Sequence, residues 1–322
     1  MKKIIIILGL ITAVISTVAI ASDLVIESKT QTFNEKDNKI IFKDDVKVHL
    51  DDLHIVGDKA DVSVTKNNKL DTATFYDKPY AVQIQSNKKR EVKANILKLS
   101  LINKVIKAEG EAQSTITEGN KPIAIITSDI QEYDTKTNVM TATGGVVIKY
   151  NDVETFSDKA VIRTSSKGDI EKLDLYGHAK VQEKVNNAQA DHFSYDAVKD
   201  EIYSEGNTMS HTELEGGIPL IVRGRYQQYS KKQNIFNASG NVRVWYDDYY
   251  AKGPKMTVYP DKITNKFNEI YFTGRSFINQ GARTIYADKI KMILKPKDFF
   301  AEGNTRTIIR NVQAEENEGK LK

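Results

Sequence analysis

A chain of 322 residues is long enough to bury a substantial core in one or two domains. It contains no cysteine, so its own core and not a disulfide framework must hold it. Its 47 basic and 43 acidic residues leave a net charge of +4, too mild and too evenly mixed for a nucleic-acid footprint.

The N-terminus opens on Met1-Lys2-Lys3, followed by an apolar run from Ile4 to Ile20 that ends in Ala19-Ile20-Ala21. This layout predicts a secretory signal over residues 1–21, with a mature start near Ser22. The run is also just long enough to span a bilayer, so an uncleaved anchor is the competing reading. No second transmembrane helix candidate follows residue 21.

From there a short phrase returns nine times, in steps of 33, 33, 34, 33, 29, 34, 34 and 29 residues. Its centre is Asp44 and Asp77 in the first two copies, then Gly110, Gly144, Gly177, Gly206, Gly240, Gly274 and Gly303. The residue four before the centre is apolar in all nine copies: Ile40, Ala73, Ile106, Met140, Leu173, Ile202, Phe236, Ile270 and Phe299. The residue two before it is Phe42, Phe75, Ala108, Ala142, Leu175, Ser204, Ala238, Phe272 and Ala301, apolar in eight of nine. Beyond the centre the same alternation resumes, as in Val46 and Val48 or Val242 and Val244. Period-two alternation predicts half-buried strands, and the glycine between them predicts a bend or bulge where a Cβ would not fit. Aspartate tolerates such backbone by bonding its own main chain, which accounts for Asp44 and Asp77.

A second landmark follows fourteen residues after the centre in several copies: Asp58, Asp158, Asp191 and Asp288, with Glu91 and Pro254 at the same offset and Asp129 delayed to nineteen. Polar turns close each unit, which therefore reads strand, bend, strand, landmark, strand, turn. Nothing beyond the leader has a capped apolar stripe at helical spacing. The chain is predicted to be nearly all β, as two facing sheets, a jelly-roll-like stack or a β-solenoid. Nine such units would stack over roughly 40 to 80 Å at the usual strand spacing. The stretches 87–90, 117–122 and 213–219 look like insertions within units, and 313–322 reads as a frayed tail.

Asn38-Lys39-Ile40-Ile41-Phe42-Lys43-Asp44-Asp45-Val46-Lys47-Val48, its late form from Asn234 to Val244, and the intervening Gly57-Asp58-Lys59-Ala60 resemble the OstA-like (LptA-type) proteins of lipopolysaccharide transport. The resemblance runs over about residues 23–312, and the domain it implies over 22–312. It implies an all-β, repetitive β-jelly roll of two facing antiparallel sheets, as one continuous domain or two butted halves. It further implies an apolar interior that carries lipopolysaccharide or its lipid A through the periplasm, and no enzyme activity or cofactor. The partners it implies are membrane-anchored transport proteins with matching β-jelly-roll domains, and further copies of the chain joined end to end. A retained leader would make the chain more like the inner-membrane-anchored adaptor of the same pathway.

On this reading Ile40, Phe42, Phe75, Met140, Leu175, Phe236, Phe272 and Phe299 line a lipid trough, with ordinary core of a dry structural β-repeat protein as the alternative. The terminal strands, expected at 23–27 and 308–312, are edges that invite partner strands, with Lys29, Arg306 and Arg310 guarding or registering them. Trp245-Tyr246-Asp247-Asp248-Tyr249-Tyr250 is either a rim that meets ligand or a hairpin end held by cross-strand aromatic pairs. No metal site is expected, because His49, His54, His178, His192 and His211 lack ligand spacing and no cysteine joins them. The landmark aspartates recur with the repeat, unlike a glycosidase pair, and neither a nucleophile elbow nor a phosphate-binding loop is present.

Overall fold

The computed structural model describes residues 24–310 apart from positions 68, 86, 87 and 167. The expected leader, Asp23, and everything from residue 311 onward lie outside the described residues. The first third holds β1 (Leu24–Glu27), β2 (Thr30–Asn34), β3 (Lys39–Leu50), β4 (Leu53–Val64), β5 (Leu70–Tyr76), β6 (Tyr80–Gln85), β7 (Lys88–Lys93), β8 (Ile96–Ser100) and β9 (Val105–Glu118). The middle holds β10 (Lys121–Asp134), β11 (Val139–Tyr150), β12 (Val153–Thr164), β13 (Ile170–Glu183), β14 (Asn186–Asp196) and β15 (Glu201–Glu213). The last third holds β16 (Pro219–Ser230), β17 (Ile235–Tyr246), β18 (Tyr249–Pro260), β19 (Phe267–Gln280), β20 (Arg283–Ile293), β21 (Asp298–Glu302) and β22 (Arg306–Ile309).

Every pairing among the described residues is antiparallel, and the long strands from β9 to β20 each pair with their sequence neighbours. The short strands are halves of broken long ones: β1 and β2 both pair with β3, β5 and β6 both with β4, β7 and β8 both with β9, and β21 and β22 both with β20. Joining those four pairs turns the 22 segments into 18 rows, two per repeat. At about 4.8 Å between strands, eighteen rows extend over roughly 80 Å, the upper end of the expected range.

Each row bends sharply at mid-length. The part before the repeat centre lies in a first sheet and the part after it in a second, so the ladder folds into two facing sheets that share every strand. The cause is local backbone geometry. At eight of the nine centres both the central residue and its successor adopt left-handed φ, from Asp44 (65°) and Asp45 (56°) to Gly303 (78°) and Asn304 (45°). Two residues there oppose one on the neighbouring strand, as where Thr143 pairs Lys159 and Val146 pairs Ser157. This is a β-bulge, and its repetition at one level turns the sheet. Glycine, aspartate and asparagine dominate these two positions because they enter left-handed backbone at the least cost.

The landmark residue occupies the facing corner of the adjacent strand. A Cβ on Gly110 would lie 2.7 Å from Asn95 Nδ2, one on Gly240 would lie 2.6 Å from Arg225 Cβ, and one on Gly144, Gly177 or Gly206 would overlap Asp129, Asp158 or Asp191. The backbone N–H groups of Lys29, Asn95 and Asp288 donate to the carbonyls of Asp44, Gly110 and Gly303. This corrects one landmark: Asn95, not Glu91, fills that place in the second unit. Glu91 lies within β7 and bonds the Tyr80 hydroxyl. The reading also lacked a turn. Between centre and landmark stands a hairpin, closed tightly with left-handed φ at Asp51, Asn151, Lys184 and Asp247 in four of the units.

Side chains reinforce the corners. Asn207 Nδ2 donates to Asp191 (3.0 Å) and Asn304 Nδ2 to Asp288 (2.7 Å), while His178 Nδ1 bonds Asp158 (2.8 Å). The hydrogen bond to Asp158, and then its charge, hold the His178 pKa above the ordinary 6.5.

Two outcomes are expected. Gly240→Ala should cost about 3 kcal/mol, from left-handed strain plus the Arg225 overlap, whereas Gly216→Ala, with left-handed φ but open space, should cost only about 1 kcal/mol. Denaturant midpoints of the two variants would measure the difference. The His178–Asp158 contact stabilises the fold fully below the unfolded imidazole pKa, and its contribution disappears as pH rises through the higher folded value. Asp158→Asn should return the His178 NMR titration to the ordinary range and remove that segment of the pH dependence.

Candidate functional site: the apolar interior

Because the corners share one level, side chains facing inward align from strand to strand. One ladder runs through successive cross-strand partners: Phe42, Ala60, Phe75, Leu97, Ala108, Gln131, Ala142, Ala160, Leu175, Phe193, Ser204, Gln227, Ala238, Met256, Phe272, Ile290 and Ala301. These residues lie beside the corner, and most are fully buried. A second ladder, two residues nearer the first sheet's rim, contains Ile40, Val62, Ala73 and Leu99 early, and Val258, Ile270, Met292 and Phe299 late. From the second sheet, Val48, Ile55, Ile126, Ile148, Val222, Val244, Ile278 and Ile285 face them.

The eight expected lining residues divide by depth. Phe42, Phe75, Met140, Leu175 and Phe272 are buried, with Phe75 at 0% exposure, while Ile40, Phe236 and Phe299 are half-buried nearer the mouth. All eight belong to apolar clusters of the interior. The second ladder is half-buried without a break from Leu173 through Tyr195, Ile202 and Tyr229 to Phe236, so the mouth is most open in the middle of the stack. The nine centres stand at the corners outside this row and do not line it.

No ionisable carboxylate or amine lies on these ladders. The buried Asp174 points away from them, paired with Lys172 (3.2 Å) and His192 (3.3 Å). Tyr133, Tyr195 and Tyr229 send their hydroxyls to rim residues Asn138, Asp200 and Asn234. Burial pushes the Tyr195 and Tyr229 phenols above their ordinary pKa, so both are neutral donors. Thr155 Oγ1 and Ser157 Oγ face the interior without a hydrogen-bond partner. Among the described residues no group of three His, Cys, Asp or Glu is placed to hold a metal ion. His49 and His54 do meet as a cross-strand pair, through their Nδ1 atoms at 2.5 Å.

The aromatic segment is a hairpin end. Trp245 and Tyr250 pair across β17 and β18 with rings 5.3 Å apart on the outer face, continued by Phe277 and Tyr286. Tyr246 and Tyr249 turn inward onto the last cluster. The sequence reading placed Ser204 on the inward phase as its polar exception but missed the other polar residues there: Ser114, Gln131, Thr208 and Gln227. Aligning strands on the landmark would have exposed the glutamines, since the residue two after it is apolar in every other strand.

Three comparisons with known proteins bear on this interior. No curated protein matches the chain. Among solved structures, one similar chain is LptH from Pseudomonas aeruginosa, described as the LptA homologous periplasmic component of a lipopolysaccharide transport device. It is 13% identical, with a TM-score of 0.33, over 38% of this chain and 82% of that one. The family described as LptA/(LptD N-terminal domain) LPS transport protein matches residues 25–123 and again 125–217. These two matches span more than half of a chain whose repeat continues in the same phase to residue 303, and the chain belongs to this family of lipopolysaccharide transport proteins.

Proposed function

We propose that the chain is a non-enzymatic periplasmic carrier that shields the acyl chains of lipopolysaccharide in its folded interior and bridges the inner and outer membranes. The observation that carries this reading is the pair of inward ladders, apolar along most of 18 rows, without an ionisable carboxylate or amine and half-buried along Leu173–Phe236. Each methylene of an acyl chain exposed to water costs about 0.8 kcal/mol, so a lipid with several chains needs cover throughout its passage. Successive rows of similar side chains make neighbouring positions similar in energy, and the lipid advances without full hydration. Directional movement must come from an energy source elsewhere. The partnerless hydroxyls of Thr155 and Ser157 suit the ester or hydroxyl oxygens of such chains.

Bridging draws on the ends of the stack. The β1–β2 row pairs only with β3, and the β21–β22 row only with β20, so each end offers one unpaired backbone edge among the described residues. A matching β-jelly-roll domain of a membrane-anchored partner, or a second copy, can extend the ladder there by strand addition. If the leader is retained, the same body serves as an inner-membrane-anchored adaptor.

The near-complete burial of Phe75, Leu175 and Phe272 favours a second reading, a structural β-repeat protein with a dry core. Photocrosslinking in cells separates the two. With the probe placed in turn at Phe42, Leu175 and Phe272, carriage predicts lipopolysaccharide adducts at all three and none at outward-facing Lys47 and Arg243. A folded, exported protein without adducts at the inward positions would make these residues plain core.

A further inference from the structure

The deepest part of the apolar interior is not continuous, although the half-buried second ladder runs across both divisions, through Ile106 and Tyr133 and through Ile202 and Tyr229. Its buried side chains form three separate clusters, the first drawing on β1 to β9, the second on β10 to β15 and the third on β16 to β21. Counted in rows, with the broken strands joined, each cluster takes six of the 18. What separates them is polar and buried. Between β9 and β10 stand Ser114 and Gln131, 1% and 2% exposed; between β15 and β16 stand Ser204, Thr208 and Gln227.

The two glutamines are equivalent by position. Each follows a corner residue by two, Gln131 after Asp129 and Gln227 after Arg225, where the other landmark strands carry Ala60, Leu97, Ala160, Phe193, Met256 and Ile290. Gln131 springs from the first sheet and reaches the second, where its Nε2 donates to the carbonyls of Ala112 (3.0 Å) and Ile126 (2.9 Å). Its Oε1 accepts from the Ser114 hydroxyl. Gln227 Nε2 likewise donates to the Val222 carbonyl (3.0 Å), and Thr208 Oγ1 to the Gly224 carbonyl (3.0 Å). On each glutamine strand the next inward residue is a tyrosine, Tyr133 or Tyr229, bonded to a rim asparagine. Small residues flank both struts, Ala108 and Ala142 in one case, Ser204 and Ala238 in the other.

A second observation coincides with these divisions. The family matches residues 25–123 and 125–217, so its boundaries fall within three residues of where the buried members of the second and third clusters begin, at Ile126 and Leu220. Both strutted hairpins are lengthened, with the landmark nineteen residues after Gly110 and Gly206 instead of fourteen, as is the strutless hairpin that ends at Asn95, eighteen residues after Asp77.

We propose that Gln131 and Gln227 divide the interior into three acyl-chain chambers of six rows each, so that a lipid rests at three stations and crosses two polar thresholds between them. This rests on the carrier reading above. A hydrocarbon chain gains burial against Leu99, Ile162 or Val258, but over a glutamine strut it lies against amide and hydroxyl groups already bonded to the protein. It must then disrupt those bonds or leave the corner, and either course depopulates the threshold relative to the chambers.

The test uses the full chain with a photoprobe replacing one residue at a time, loaded with hexa-acylated lipopolysaccharide. Chamber positions are Leu99, Ile162 and Val258, and threshold positions are Tyr133 and Tyr229. Labelling of all three chambers should exceed that of both thresholds by roughly tenfold, the factor that one net buried hydrogen bond represents. Gln131→Leu with Gln227→Leu should abolish that contrast. Equal labelling at all five positions, or a contrast unchanged by the leucine substitutions, would overturn the partition. The contrast in the unsubstituted background is read without the leucine variants, so their failure to fold would not rescue the idea. No labelling at any chamber position of a folded protein would instead sink the carrier reading, and the stations with it.

Discussion

The rest of this structure depends on one backbone constraint, a pair of consecutive left-handed residues packed against the landmark residue of the neighbouring strand. Without it, strands of 12 to 14 residues would form an open sheet with an uncovered apolar face. With it, every row bends at one level and the sheet covers itself. The second left-handed residue matters as much as the glycine. Asn207, Asn241 and Asn304 reach that backbone cheaply, and Asn207 and Asn304 also bond the facing aspartate. Strain intrinsic to the corner is offset by contacts that only the folded neighbour supplies.

A second consequence is uniformity. Because the corners align, equivalent residues become cross-strand partners along the whole stack, and a repeated apolar letter becomes a continuous ladder. Such a surface has no special point at which to concentrate charge. It suits a ligand recognised by its hydrophobic mass, spread over many rows, more than one gripped by a few convergent groups. The two glutamine struts break that uniformity. Their amide nitrogens donate to backbone carbonyls, which offsets their burial, yet they change what a mobile apolar ligand meets at those rows.

The ends of the stack and its interior answer to different rules. Inside, the folded ladder satisfies its own backbone. At the terminal rows, among the described residues, the same ladder leaves donors and acceptors unpaired on one side, the backbone that the proposed strand addition would use.

Much of this was legible in the residues. The inward phase of Phe42, Phe75, Leu175 and Phe272 follows from alternation, and the bends at Gly110 to Gly303 follow from glycine interrupting that alternation at a fixed period. Both are local properties, set by side-chain direction along a strand and by the steric cost of a Cβ. Asn95 was missed in favour of Glu91 because a lengthened hairpin shifts the landmark along the chain, and spacing alone cannot reveal which residue faces which. The tertiary structure decided the non-local facts. It set two rows per unit, brought Gln131 against the carbonyls of Ala112 and Ile126, and gathered the deeply buried apolar residues into three clusters. Those depend on register between strands and on what lies across the fold, which a glutamine's letter in the sequence does not carry.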